Sequence, residues 1–195
     1  MRKFRKWAMI AACAVLLVCV SIGATVAYLT SQSTVTNTFT VGNVAITMDE
    51  TKVGEDGAAV ANADRVTSNA YKLLPGHTYT KDPIVHVAAG SEDCWVFVKV
   101  ENDIAAIEDA NSTIAAQLTA NGWKPVAGAN GVYGRDAAAS ADDDLTVFSS
   151  FKISGTVNNT TLATYAGKSI VVTAYAIQAD GFADAAAAWT ALGVQ

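Results

Sequence analysis

The stretch Cys94-Trp95-Val96-Phe97-Val98-Lys99-Val100-Glu101 sets the tightest limit on what this chain can fold into. Its β-branched and aromatic residues favour a strand. Successive side chains of a strand point to opposite faces, so Trp95 and Phe97 share one face, and Cys94, Val96, Val98 and Val100 share the other. A strand that is apolar on both faces belongs in the middle of a sheet, with material packed above and below it. The rest of the chain has to supply those layers.

Several segments have the pattern to do so. Val44, Ile46 and Met48 alternate with Asn43, Ala45 and Thr47, which predicts a half-buried strand. Thr78 to Val87 predicts another, and Pro83, which has no N–H for a ladder, puts it at an edge or a bulge. Leu145 to Ile153 and Ser169 to Gln178 read as the last β segments, with Leu162 and Tyr165 assigned to the same region. Residues 51–69 read as an elaborated loop with one weak strand near Val60. Trp123 to Tyr133 predicts a hairpin turning through Gly128 to Gly131. Between these, Ile104, Ile107, Ile114 and Leu118 fall at helical spacings. They predict a helical insertion over about 103–120, broken near Asn111-Ser112 and ending at Asn121-Gly122. The Ala-rich stretch 182–192 predicts a short C-terminal helix carrying Trp189. Many short strands with one helical insertion indicate an all-β, antiparallel sandwich or barrel in a single domain.

The first 27 residues stand outside that fold. Arg2, Lys3, Arg5 and Lys6 precede the apolar run Ala8 to Val20, and Thr25-Val26-Ala27 places small residues before a cut between Ala27 and Tyr28. Charge, apolar core and small-residue site in that order are a secretory signal. The alternative is an uncleaved anchor, which is the one route to a membrane. Lipidation is rejected, because Cys13 comes too early and Cys19 follows the bulky Val18. Cleavage leaves residues 28–195, with nine basic residues against 18 acidic ones. Such a surface repels nucleic acid and anionic lipid. Only Cys94 remains, so no internal disulfide can form.

Residues 28–41 form a third region. Thr34-Val35-Thr36-Asn37-Thr38-Phe39-Thr40-Val41 keeps a period of two and is rich in β-formers. It has the composition of a strand that needs an edge to pair with.

Sites of chemistry are sparse. A zinc protease needs about three protein ligands and a general base; the chain offers His77 and His86 and no HExxH. Asp142-Asp143-Asp144 is a candidate for calcium but lacks the spaced ligands of a known calcium loop. No G-x-S-x-G is present, and Cys94 opens a core-like strand, where a buried thiol is inert. Trp95, Trp123 and Trp189 would make a glycan platform only if exposed, and core filling suits Trp95 better. The expectation is no enzyme and no cofactor.

The segments GATVAYLTSQSTVTNTFTVGNVAITMDE, LLPGHTYTKDPIVHVAAGSEDCWVFVKVE and AYAIQADGF with the later Ala188-Trp189 resemble the TasA/camelysin-like exported proteins of Gram-positive bacteria. The resemblance implies a jelly-roll β-sandwich over 42–195, a signal over 1–27 removed by a SipW-type signal peptidase, and a place in the extracellular matrix or on the cell surface of biofilms. It further implies filaments, in which residues 28–41 are donated as a strand to the next subunit, with Thr34, Val35, Thr36, Phe39 and Val41 as donor residues. Two other readings stay open. One is a camelysin-like surface metalloprotease using His77 and His86, and the other is a monomeric adhesin or carbohydrate-binding domain.

Overall fold

The computed structural model describes residues 42–194, together with Phe4 and Lys6. The signal 1–27, the Ala27–Tyr28 junction and the segment carrying Thr34, Val35, Thr36, Phe39 and Val41 lie outside the described residues.

The strand Cys94–Asn102, here β4, is central. Around it run β1 (Ile46–Asp49), β2 (Thr78–Thr80), β3 (Ile84–Val87), β5 (Trp123–Pro125), β6 (Val132–Arg135), β7 (Asp144–Thr146), β8 (Ser150–Lys152) and β9 (Ile170–Gln178). All the pairings between these strands are antiparallel. One sheet has the order β5-β6-β4-β9, and β4 pairs with β9 along its full nine residues. The other layer consists of β1-β3-β7 and the two-stranded β2-β8.

Those last two pieces are one ribbon. Thr80 faces Ser150 and Ile84 faces Thr146, so both ladders keep the same register. Between them, Lys81 N–H donates to Ser149 O (3.3 Å) and Val147 N–H to Pro83 O (2.9 Å). Pro83 has no N–H to return the second bond, which interrupts the ladder without shifting it. On its other side Pro83 also marks where β1 parts from β3. On the edge of β1 away from β3, Glu50 exchanges backbone bonds with Val66 (2.7 and 2.8 Å).

The main core fills the space between the layers. Tyr79, Val85 and Val87 from the ribbon meet Cys94, Val96 and Val98 of β4, along with Leu145, Phe151 and Ile153. The helical insertion closes one side. It is broken as its sequence indicates, into a 3-10 turn (Ala105–Ile107) and helix α1 (Ile114–Ala120), which bury Ile107, Ile114 and Leu118. Thr113 caps α1 through the Ala116 N–H (3.2 Å). Gln117 of α1 and Asn121, its C-cap, bond the free backbone groups of residues 147–150, between β7 and β8. Trp123 is fully buried, and its Nε1–H donates to Thr146 O (2.8 Å).

The opposite face of β4 has its own cover. Trp95 and Phe97 pack with Val132 and Ala188, beneath the C-terminal helix α3 (Ala185–Leu192). Asp184 caps α3 through the Ala187 N–H (2.8 Å), and Gly193 ends it in the left-handed conformation. The Phe97 ring lies 5.2 Å from that of Trp189. It also lies so close to Gly134 that a Cβ there would come within 2.9 Å of it.

Two local expectations are corrected. Leu162 and Tyr165 do not belong to a β segment: Leu162 lies in helix α2 (Asn159–Ala163), started by the Asn158 side chain accepting from Thr161 N–H (2.8 Å). The Asn cap outweighs the β propensity of the neighbouring threonines. Val60 is not in a strand either. It follows a turn closed at Gly57, whose positive φ and contact with Tyr79 leave no room for a side chain, and only the isolated bridge Val53↔Ala59 forms there.

Replacing Phe97 by Ala should cost about 3–5 kcal/mol in urea unfolding, because the ring fills a site that cannot collapse onto Gly134. Tryptophan emission should shift to the red in the folded state as Trp189 loses its packing partner.

Candidate functional site

The residues singled out by sequence do not converge. His77 and His86 lie nine positions apart along the β2–β3 strand, roughly 30 Å at about 3.3 Å per residue. His77 Nε2 is bonded to Asp56 O (2.8 Å) and its ring stands edge-on to Tyr79. His86 lies on the outer face of its sheet, between carboxylates on the two flanking strands: Nδ1 to Asp144 Oδ1 (2.5 Å) and Nε2 to Asp49 Oδ1 (3.1 Å). Both ring nitrogens are therefore engaged. Of the acidic run, Asp142 takes a positive φ, Asp143 accepts from Ser140 N–H (2.8 Å) and Asp144 holds His86. Among the described residues, no three His, Cys, Asp or Glu side chains converge as a metal site would require. Cys94 is buried, and that burial, with Asp93 and Asp143 nearby, pushes its thiol up. Trp95 and Trp123 are buried, and Trp189 is half-buried against Phe97 and Tyr175.

A denser constellation lies where β1 leaves β3. In the alternation Tyr79, Lys81, Pro83, Val85, Val87 every residue faces the core, Lys81 included. Lys81 is 9% exposed and Glu50 4%. Lys81 Nζ meets Glu50 Oε2 at 2.6 Å. The second oxygen, Oε1, accepts from Asn69 Nδ2 at 2.9 Å. Asn69 is held on both ends: Nδ2 also donates to Thr51 O (2.9 Å), and Oδ1 accepts from Val53 N–H (2.9 Å). Tyr71 lies alongside, and burial followed by the Glu50 charge pushes its phenol well up, keeping it neutral. Just outside, Arg65 bonds Asp49, Thr51 Oγ1 and Asp82, and Thr51 donates twice to the Asp82 carboxylate at 2.7 Å. Burial raises the Asp82 carboxyl, but the bonds from Thr51 and Arg65 outweigh it and hold it below its ordinary value. Glu50, Asn69 and Lys81 escaped the sequence reading, although a Lys on the inward side of an alternating strand was a visible signal.

Two clefts open beside this constellation. One of about 640 Å³ runs between Asn69, Tyr71, Lys81 and Phe151 and the turn Tyr165–Ile170. The other, about 280 Å³, lies between β1 and β9 and is lined by Met48, Val66, Ile170 and Val172.

The sheet edges differ in how they are protected. Natural edges are blunted by shortness, charge or proline. β5 is three residues long, carries Lys124 and ends in Pro125, while β7 is three residues long and starts at Asp144. β9 has none of these devices. It is nine residues long, uncharged and apolar on both faces, with Val171 44% exposed. At the two ends of its ladder Asp103 N–H donates to Ser169 O (3.1 Å) and Ala179 N–H to Asp93 O (2.7 Å). In an antiparallel pair the residues alternate in facing the partner, so Ile170, Val172, Ala174 and Ala176 turn their N–H and C=O groups outward. Among the described residues, β9 pairs with β4 alone.

No protein-family model, curated protein or solved structure matches this chain.

The pH dependence of the His86 clamp has a definite sign. The hydrogen bond to Asp144, then that to Asp49, raises the imidazole above its ordinary value of 6.5 against a smaller effect of burial. For Asp49, burial raises the carboxyl, but the bonds from Arg65 and His86 outweigh it and lower it below 3.8. The histidine contribution is therefore complete below about 6.5 and fades as pH rises through the folded-state value. The Asp49 contribution is present above its unfolded value and fades in acid. Urea midpoints measured from pH 6 upward should fall in wild type, and His86→Gln should flatten that alkaline slope.

Proposed function

We propose that the chain is a secreted structural protein of the extracellular matrix or cell surface, assembling head to tail when residues 28–41 of one copy pair with β9 of the next. The observation that carries this reading is the unprotected edge of β9. Its outward N–H and C=O groups offer a template for an added strand, which needs main-chain bonds more than particular side chains.

The exit of the chain fits the same reading. Gly42 lies in a cleft with Glu92, Gln178 and Asp180, at the end of the sandwich where β9 finishes. Upstream of it, 14 residues in extended form would reach roughly 46 Å, and nine residues of edge need about 30 Å. If extended, that segment would put Val35, Phe39 and Val41 on one face and the threonines at 34, 36, 38 and 40 on the other. Paired along β9, the apolar face would meet the cleft between β1 and β9 and the Thr face would meet water. Donation of this kind does not close on itself, so it gives filaments. The jelly-roll class, the export signal and its SipW-type processing belong to this reading through the resemblance.

The metalloprotease and the glycan-binding adhesin have no comparable observation behind them. His77 and His86 are about 30 Å apart along one strand, and Trp95 and Trp123 are covered.

Size-exclusion and negative-stain microscopy on the chain 28–195 should show polymers. A chain starting at Thr40 should be monomeric. Ala174→Pro, which deletes one outward N–H and leaves the β4 ladder intact, should be monomeric and still unfold cooperatively. Polymers from the truncated chain, or monomers from the intact one at every concentration tested, would overturn the reading.

A further inference from the structure

We propose that Lys81 and Asn69 are joined by an intramolecular isopeptide bond, formed by the protein itself with Glu50 as proton carrier. This is independent of filament assembly.

The three groups occupy the roles that amide transfer requires. Lys81 Nζ is the nucleophile, and it becomes one only as a neutral amine. The Glu50 carboxylate lies 2.6 Å from it, on a direct line for the proton. The electrophile is the side-chain carboxamide of Asn69, whose nitrogen lies 2.9 Å from the other oxygen of the same carboxylate. One carboxylate thus touches both the attacking and the leaving nitrogen. Asn69 Oδ1, where negative charge develops on attack, already accepts the Val53 backbone N–H at 2.9 Å. A fixed donor at that position stabilises an oxyanion and needs no rearrangement. Backbone pairing between Glu50 and Val66 sets the Asn69 segment on one side of Glu50, and Lys81 approaches from the other. Glu50 and Lys81 are nine-tenths buried or more, which shields the pair that exchanges the proton, while Asn69 is half-buried beside the cleft.

The step balances without any oxidant or co-substrate. Glu50 takes a proton from the Lys81 ammonium. The amine attacks Asn69 Cγ, forming the Nζ–Cγ bond and a tetrahedral oxyanion held by Val53 N–H. Glu50 passes its proton to Nδ2 and accepts a second one from Nζ. The Cγ–Nδ2 bond then breaks and ammonia leaves. The products are a secondary amide, ammonia and a protonated Glu50, which returns its proton to solvent. The 640 Å³ cleft lined by Asn69 and Lys81 gives the ammonia a way out.

Intact mass of the purified chain tests this directly. The expected value is about 17 Da below the sequence mass, the loss of one ammonia. A succinimide at Asn69 has the same mass, so peptide mapping decides. Trypsin should leave Lys81 uncut and release residues 66–72 branched onto residues 73–99. Glu50→Gln should restore the full mass, while His86→Gln, outside the triad, should keep the deficit. Full mass in the wild type, or a deficit with residues 73–81 released as a free peptide, would overturn the proposal. A branched peptide in Glu50→Gln would overturn the role of Glu50.

Discussion

Strand β4 is apolar on both faces and hydrogen-bonded on both edges, and the architecture follows from meeting those four demands. The ribbon of β2–β3 and β7–β8 covers the face of Cys94, Val96 and Val98. Helix α3 covers that of Trp95 and Phe97. On its edges stand β6 and β9, which satisfy the backbone groups that burial leaves without water. The solution moves the problem outward by one strand on each side. On one side it ends harmlessly at β5, which is short, charged and closed by proline. On the other it ends at β9, which is as long as β4 itself and carries no such protection. An exposed edge of that kind is a template on which another strand can pair.

The layer opposite has the contrary difficulty: a charged residue faces inward. Lys81 sits among Tyr79, Val85 and Val87 because the alternation of its strand puts it there. Removing one partner of a buried ion pair typically costs about 3–5 kcal/mol, since the other charge is left stranded. Glu50 meets that charge at the end of β1, where its backbone is held to Val66 on the edge away from β3. The bridge from Glu50 to Val66 therefore brings residues 66–69 beside the Lys81–Glu50 pair and makes the place where Glu50, Asn69 and Lys81 meet.

Periodicity made most of the fold legible. The double-faced β4, the hairpin at Trp123, the broken insertion and the terminal helix with Trp189 each rest on local patterns that survive in the structure. The errors fall where a capping side chain or a close backbone approach decides, at Asn158 and Gly57, and those effects span only a few residues. The polar constellation was harder to see for a different reason. Glu50, Asn69 and Lys81 are brought together by a strand register and an isolated bridge, which no spacing in the sequence encodes. Attention to histidine as a metal ligand picked His77 and His86, whereas the inward-facing lysine between them was the more informative residue.

The two proposals meet in how a filament would carry load. Under the proposed strand donation, tension would enter each subunit at Gly42 and pass into β1, whose four residues pair with β3. Once β1 gives way, residues 51–68 would be drawn out next, because they are tied to the fold by single bonds, such as Thr51 N–H to Asp82 (2.7 Å), Thr80 N–H to Gly57 O (3.1 Å) and the Arg65 clamp. An amide between Asn69 and Lys81 stops that unspooling at residue 69. It hands the force to the ribbon at Lys81, and residues 70–80, β2 included, are bypassed. A hydrogen-bonded triad in the same place would yield under sustained force, as any non-covalent contact of a few kcal/mol does. A covalent link at this position is worth most to a protein that is pulled from its N-terminus, which is how a strand-donating subunit would be pulled.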